Sequence, residues 1–395
     1  MKPTPLLALD PALPQRDLLL DETLMTEYLS HLVQYRIEDC ERLRTKYRVG
    51  TSLRVLYEVS GNGRAYRIAA RAFPRTRKVP NQINAPELNT TFWIFPHDRK
   101  IKNLAVLSNI PDDLRNIEGR TWKTSCIVAH APEKSVTAQC LNENEQIIAY
   151  AKIYAGDEGR RIFETYKAAT GKVQIPRPIA HSETHHLLLL ESIAGVPLST
   201  VAGSEDAFFR LGKALRNLHH IDPPSSLPRH TRLTPEAVAR ASASISQARP
   251  DVADLVQRLS AKLIAEYTHG KPVFLHGDVH PKNIFLNEKN LFLLDLDQAA
   301  TGPAAADLGS VIAGLYCDAC TGSRTWNEAS ILKRALLIGY DASPHSHELR
   351  WHTAAALLQE RALRSVTRIR TTTLQKLPEL LRTAEAVLNG GCREN

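Results

Sequence analysis

The chain has 395 residues, 43% of them hydrophobic and 23% charged, the make-up of a soluble globular protein with length for two to three domains. Its net charge of +8 favours anionic partners. The basic residues are spread out, however, and no helix-turn-helix, zinc finger or aromatic RNA-binding motif gathers them, which weighs against nucleic acid.

Taken in chain order, the opening MKPTPLLALDPALPQRD is broken by Asp10 and by prolines and makes a poor signal peptide. No later segment reaches the ~18 uninterrupted apolar residues of a membrane span, so a cytoplasmic location without membrane contact is the expectation. Residues 18–45 predict a helix from the spacing of Leu24, Tyr28, Leu32 and Ile37. The runs 51–59 and 65–73 flank Gly-Asn-Gly and predict a hairpin. A connecting patch, FWIFPHDRKIKNL (92–104), precedes a second hairpin of 135–141 and 147–154 around the turn NENEQ. Laid over each other, the two hairpins put Arg71 opposite Lys152, which suggests a duplicated unit with a degenerate first copy.

A helix over 158–171 and a buried strand within 185–198 come next. Helical periodicity then dominates 206–221, 251–267, 330–340 and 348–370, with a Pro/Ser-rich loop at 222–235. The expected fold class is α+β, a strand-rich N-terminal part and a mainly helical C-terminal part. Six cysteines are scattered, and only Cys317 and Cys320 form C-x-x-C. They read as ordinary thiols in a reducing compartment.

The chemistry concentrates in HGDVHPKN (276–283) and LFLLDLDQ (291–298). Phosphoryl transfer needs a carboxylate to orient the attacking hydroxyl, oxygen ligands for Mg2+ and a cation on the phosphates, all rigidly placed. Asp278 and Asn283 stand five apart, as do the base and the metal-binding Asn of the kinase catalytic loop. Asp295 follows twelve residues later, and Asp297 two further on.

With ESIAGVPL (191–198), AYAKIY carrying Lys152, the helix around Leu218-His219 and LLDLDQAATGPAAADL (293–308), the ordered set resembles the aminoglycoside phosphotransferase and choline kinase group. These small-molecule kinases share the two-lobed protein-kinase-like fold. The resemblance spans about 150–310. It implies Asp278 as catalytic base, Asn283 and Asp295 as Mg2+ ligands, and Lys152 on the phosphates of ATP. Glu191, Ser192 and Ile193 would form the adenine-binding hinge. Asp307 would pin the catalytic loop and Asp297 would assist the metal or a nearby ion pair. His276 and His219 would be packed structural histidines, and His280 a substrate contact.

Glu164 is the first choice to pair with Lys152 and Glu158 the second. NENEQ lacks the glycines of a protein-kinase phosphate loop, and no D-F-G or A-P-E segment is present. This favours a small hydroxyl-bearing metabolite over a protein as acceptor, with a catalytically silent nucleotide-binding protein as a further alternative. Domain borders are expected at 1–115 (an extension), 116–190 (the N-terminal lobe) and 191–395 (the helical lobe). The arginines at 334, 350, 361, 364, 368 and 370 point to a neutral or anionic acceptor, such as a sugar or polyol, ahead of an antibiotic, since guanidinium groups suit carboxylate and phosphate.

Overall fold

A computed structural model describes residues 6–75, 82–201, 203–268, 270–288 and 290–391; Cys392 lies outside them. Helix α1 (Glu22–Val33) starts at Asp21, whose side chain accepts the Leu24 N–H, and ends at Gln34 in the left-handed region. The helix predicted through residue 45 therefore stops twelve residues early. From Asp39 buried and exposed positions alternate, a period of two that suits a strand.

The first sheet holds β1 (Asp39–Arg48), β2 (Ser52–Gly61), β3 (Arg64–Ala72), β4 (Ile83–Ala85) and β5 (Thr90–Ile94), in the order β1-β2-β3-β5-β4. The patch read as a connector at 92–104 thus begins inside a strand. Helix α2 (Asp112–Arg115) and the short pair β6 (Asn116–Ile117) and β7 (Arg120–Thr121) lead to the second sheet. Its members are β8 (Thr124–Ala131), β9 (Ser135–Leu141), β10 (Ile147–Tyr154), β11 (Pro178–Ser182) and β12 (Leu187–Glu191), with α3 (Glu158–Ala169) after β10. From its β8 edge the order is β8-β9-β10-β12-β11, the same pattern as the first sheet. Arg71 pairs with Arg54 and Lys152 with Thr137, each partner being the third residue of its strand.

One carboxylate joins the sheets. Glu133, in the turn after β8, is fully buried and ion-paired to Arg54, Arg71 and Arg99. Its backbone N–H donates to Asp98 at 3.0 Å, and Arg54 also donates to the Pro132 carbonyl at 2.7 Å.

Beyond β13 (Val196–Pro197), the chain forms α4 (Glu205–His219), α5 (Pro235–Ala248) and α6 (Ala253–Ala265). Four short strands follow: β14 (Pro272–Leu275), β15 (Ile284–Leu286), β16 (Leu291–Leu293) and β17 (Ala300–Pro303). Helices α7 (Ala305–Thr321), α8 (Trp326–Tyr340) and α9 (His347–Ala356) come next, then a π-helical turn (Leu357–Ala362), α10 (Leu363–Arg368), α11 (Thr371–Gln375) and α12 (Leu377–Leu388).

The inner face of the first sheet, including Leu53, Val55, Tyr57 and Ile68, shares one apolar core with Ile245 and Ala248 of α5. Burying such side chains is worth about 1.5–3 kcal/mol each, so the first sheet is anchored on the helical lobe. Much of the second sheet instead closes a separate core with Ile101, Leu104 and Trp122. Among the described residues no helix is long and apolar enough to cross a membrane.

Candidate active site

Both chemical loops hang between short paired strands. Residues 276–283 join β14 to β15, and 294–299 join β16 to β17. Leu275 pairs with Ala300 and Ile284 with Leu293, so the same two ladders clamp both loops. Buried Asp307, in the first turn of α7, accepts the backbone N–H of His276 at 2.7 Å and of Gly277 at 2.9 Å. His219 reaches the same carboxylate at 3.1 Å and contacts the Tyr340 hydroxyl at 2.8 Å with its other nitrogen. Burial pushes the Asp307 carboxyl up, but His219 and the donors around it hold it below its ordinary value.

His276 is wholly buried and donates to the Leu294 carbonyl at 2.9 Å, tying one loop to the other. Gly277 has φ +77°, and a Cβ there would lie 2.0 Å from the Gln298 carbonyl oxygen. Asn283 donates its side-chain amide to the Asp278 carbonyl at 3.1 Å, which leaves its own amide oxygen for another partner.

Lys152 projects from β10 onto the second loop. Its ammonium lies 2.8 Å from Asp295 and 2.8 Å from Asp297. Asp295 adopts φ +64°, a costly conformation for a non-glycine residue and one that clusters at functional sites. Fully buried Tyr166 holds it there, its hydroxyl accepting the N–H groups of Asp295 at 3.1 Å and Leu296 at 3.2 Å. Tyr154 donates to Asp297 at 3.0 Å. Burial opposes charge at all three groups of the cluster. At Asp295 the ammonium wins and the carboxyl falls to about 2, whereas burial raises Asp297. Lys152 itself is held charged, its desolvation overcome by the two carboxylates.

Asp278 faces arginines. Arg232 approaches its carboxylate at 3.2 Å and Arg364 at 3.5 Å. Burial raises the Asp278 carboxyl, and these two guanidinium groups bring it below the ordinary value. Arg232 also lies 3.6 Å from buried Glu360, which sits in the π-helical turn beside Arg361. Such turns recur at functional sites because they re-aim side chains within a helix. Arg361 is fixed by donating to the Ser310 carbonyl at 2.7 Å. A pocket of about 290 Å3 lies beside the loop, lined in part by His280, Asp318, Arg324, Arg361 and Arg370. Burial and the nearby arginines push the His280 imidazole down to about 4, so it is neutral near pH 7.

The structure brings Lys152, Asp278, Asn283, Asp295, Asp297, His276 and Asp307 to the two loops. It does not bring Glu164 there. That residue is half exposed and lies 3.6 Å from Lys167, because the α3 face that packs inward carries Ile162, Thr165 and Tyr166. Glu158 is exposed as well; the Lys152 partners come from the Asp295 loop. Glu191 ends β12 and shares backbone and side-chain hydrogen bonds with Arg177, at 2.9 and 3.1 Å. Ser192 and Ile193 follow, half-buried, in the link between the lobes.

The turn at the Lys152 end of the sheet is not NENEQ. It is residues 131–134, where Ser135 pairs with Tyr154 and the Ala155 N–H donates to Lys134 at 2.9 Å. Like NENEQ it contains no glycine. Sequence reasoning missed Arg232, inside the Pro/Ser-rich loop, and the two tyrosines around the Asp295 loop, since no local pattern marks them.

A two-lobed chain with these loops has a kinase-like architecture. Residues 149–329, a little under half of the chain, match the family described as "Phosphotransferase enzyme family", which supports an enzyme of the small-molecule kinase type acting on an alcohol group. Among solved structures it resembles a thermostable mutant of aminoglycoside phosphotransferase APH(4)-Ia in complex with ADP and hygromycin B. The two are 11% identical over 73% of this chain and 99% of that one, with a TM-score of 0.51. A choline/ethanolamine kinase family protein from Mesorhizobium loti is 15% identical, over 72% and 92% of the two chains, with a TM-score of 0.47. Spectinomycin phosphotransferase APH(9)-Ia, with ADP and spectinomycin, is 16% identical over 68% and 94%, with a TM-score of 0.47. No curated protein matches the chain at the level of sequence.

Proposed function

We propose that the enzyme transfers the γ-phosphoryl group of ATP to a hydroxyl of a small, neutral or anionic metabolite in the cytoplasm, with Mg2+ as cofactor. The observation that carries this reading is the convergence of Lys152 and Asp295 with Asp278 and Asn283 on two clamped loops. The acceptor oxygen bonds to the γ-phosphorus as the bond to the β–γ bridging oxygen breaks. ADP leaves, and the hydroxyl proton passes to Asp278 and then to solvent. Asp278, kept ionised by its arginines, is a weak base, but a loose transition state asks mainly that it orient the hydroxyl.

The donor set fits Mg2+, a cation held by one or two carboxylates along with phosphate oxygens. Asp295 is partly exposed and ionised, and the amide oxygen of Asn283 is uncommitted. When bound, the ion would neutralise charge on the phosphates. Lys152 would steady the phosphates beside Asp295, with Asp297 holding the ammonium in place. Glu191, Ser192 and Ile193 would offer backbone groups to the adenine. Three arginines against one Asp318 in the pocket beside His280 favour an uncharged or negative acceptor over a cationic one. The same proposal takes residues 1–115 as an extension built on a degenerate copy of the second sheet, with lobes at 116–190 and 191–395.

The test is transfer of labelled γ-phosphate from ATP into the small-molecule fraction of a cell extract. Asp278→Ala is expected to lose about 10²–10⁴ in turnover while still binding Mg·ADP. Label appearing only in protein, or undiminished turnover in the variant, would refute the assignment.

A further inference from the structure

A second cavity, of about 270 Å3, lies between the first sheet and the catalytic lobe, lined by Arg44, Lys46, Arg54, Lys134, Gln298 and Arg368 among others. Strand β1, the turn after β8, the Asp295 loop and α10 all meet there. Its cations contrast with the neighbouring trio on Glu133. Arg54 is engaged by that carboxylate, but Arg44, Lys46, Lys134 and Arg368 have no ion pair or side-chain hydrogen bond among the described residues. Burial, then the surrounding cations, push Lys46 down to about 8 and Arg368 to about 10. Like charges gathered without a counterion repel one another, and a dianion would relieve them.

Position adds to chemistry. Gln298 belongs to the Asp295 loop, and Arg368 stands about one turn along α10 from Arg364, which lies 3.5 Å from Asp278, so the cavity adjoins the loops that carry the reacting carboxylates. Its volume falls below the ~300–1,000 Å3 of sites that enclose a whole drug-sized ligand. It suits a head group.

We infer that this cavity binds a phosphate group carried by the acceptor, so that the enzyme acts on a hydroxyl of an already phosphorylated compound. The first sheet grips one end of that compound while its hydroxyl reaches Asp278. This rests on the phosphotransferase reading above. The extension thereby gains a role in substrate recognition. The same cations could instead meet the polyphosphate of the nucleotide, and the experiment separates the two sources.

Inorganic phosphate is titrated calorimetrically into the full chain, with and without saturating Mg·ADP. The proteins compared are the parent, Lys46→Met, Lys46→Arg and Arg368→Gln. Lys46 lines the cavity from the surface and has no ion pair or side-chain hydrogen bond among the described residues, so its variants are expected to keep the fold, which retained Mg·ADP binding verifies. Phosphate is expected to bind alongside Mg·ADP, to weaken about tenfold with Lys46→Met or Arg368→Gln through loss of one charge-assisted contact, and to recover with Lys46→Arg. Unchanged affinity in both charge-removing variants overturns the site. Displacement of phosphate by Mg·ADP assigns the cavity to the nucleotide and overturns the acceptor role.

A second arm repeats the labelled transfer with an extract treated with phosphatase, which is removed before ATP is added. Loss of the labelled product supports a phosphorylated acceptor. Label that survives refutes this inference alone, whereas no label from either extract sinks the kinase reading and this inference with it.

Discussion

Replacing Asp307 by alanine tests how the catalytic loop is held. The carboxylate is 2% exposed and accepts from the His276 N–H at 2.7 Å, the Gly277 N–H at 2.9 Å and His219 at 3.1 Å. Its removal strands three buried donors, each at a cost of roughly 1–3 kcal/mol. Water entering the small void offsets part of that, which places the loss near 3–5 kcal/mol, the range for breaking a buried charge pair. Against a total stability of about 5–15 kcal/mol, the variant is marginal at best. Asparagine keeps the shape but points an amide N–H at a donor, so it is expected to rescue only part of the loss.

The carboxyl is held below its ordinary value in the folded state. Its contribution is therefore complete above the unfolded pKa of about 3.9 and is lost as the pH falls through the lower folded value. Urea unfolding at pH 7 and near pH 3 reads both effects, with the gap between parent and variant narrowing in acid. An Asp307→Ala protein within about 0.5 kcal/mol of its parent at pH 7, the range of an ordinary surface change, would refute the pinning argument.

Three other substitutions probe the remaining parts. Lys152→Met is expected to cost about 2–3 kcal/mol, less than a wholly buried pair because Asp295 is partly open to water. Since Lys152 holds Asp295 down to about 2, that deficit is largest above the unfolded carboxylate pKa and shrinks towards acid, as a series of melts from pH 7 to pH 3 would show. Gly277→Ala forces a left-handed residue and a Cβ 2.0 Å from a carbonyl oxygen. It should lose about 1–3 kcal/mol or more together with turnover, and a fully active variant would contradict the close approach of the loops. Glu164→Gln should change stability by no more than about 0.5 kcal/mol and leave Mg·ADP affinity intact. A large drop in that affinity would restore Glu164 as the partner of Lys152.

What the sequence disclosed follows from how locally each feature is encoded. Asp278, Asn283 and Asp295 sit in short loops between apolar runs, so their spacing along the chain is nearly their arrangement in space. The second hairpin, with alternating residues around a polar turn, reads equally directly. Asp307 could be placed because it opens a helix soon after the loop it serves.

The failures lie where tertiary contact decides. The spacing of Leu32 and Ile37 carries the expected helix through residue 45, well into the strand Asp39–Arg48. Only pairing with β2 reveals the alternation of burial that makes this stretch a strand. The sequence points to the adjacent helix for the partner of Lys152, yet Asp295, one of its two partners, lies 143 positions away. Arg232 lies in a loop without periodicity, and nothing near it announces the carboxylate it meets. The basic cavity is assembled from segments hundreds of residues apart, each unremarkable alone.

The turn that holds Glu133 has an evolutionary consequence. Its three arginines lie 79, 62 and 34 positions away, two of them on strands of the first sheet. A border drawn at residue 149, where the family match begins, would cut β10 near its start and leave β8, β9 and the Glu133 turn, with its three arginines, outside the matched segment. The matched segment is therefore not a transferable module in this chain. Selection on the turn above the catalytic loops is also selection on distant positions 54, 71 and 99. Lineages that lose the acid are expected to lose the three guanidinium groups with it, and an exchange of lobes between relatives should succeed only when all four positions travel together.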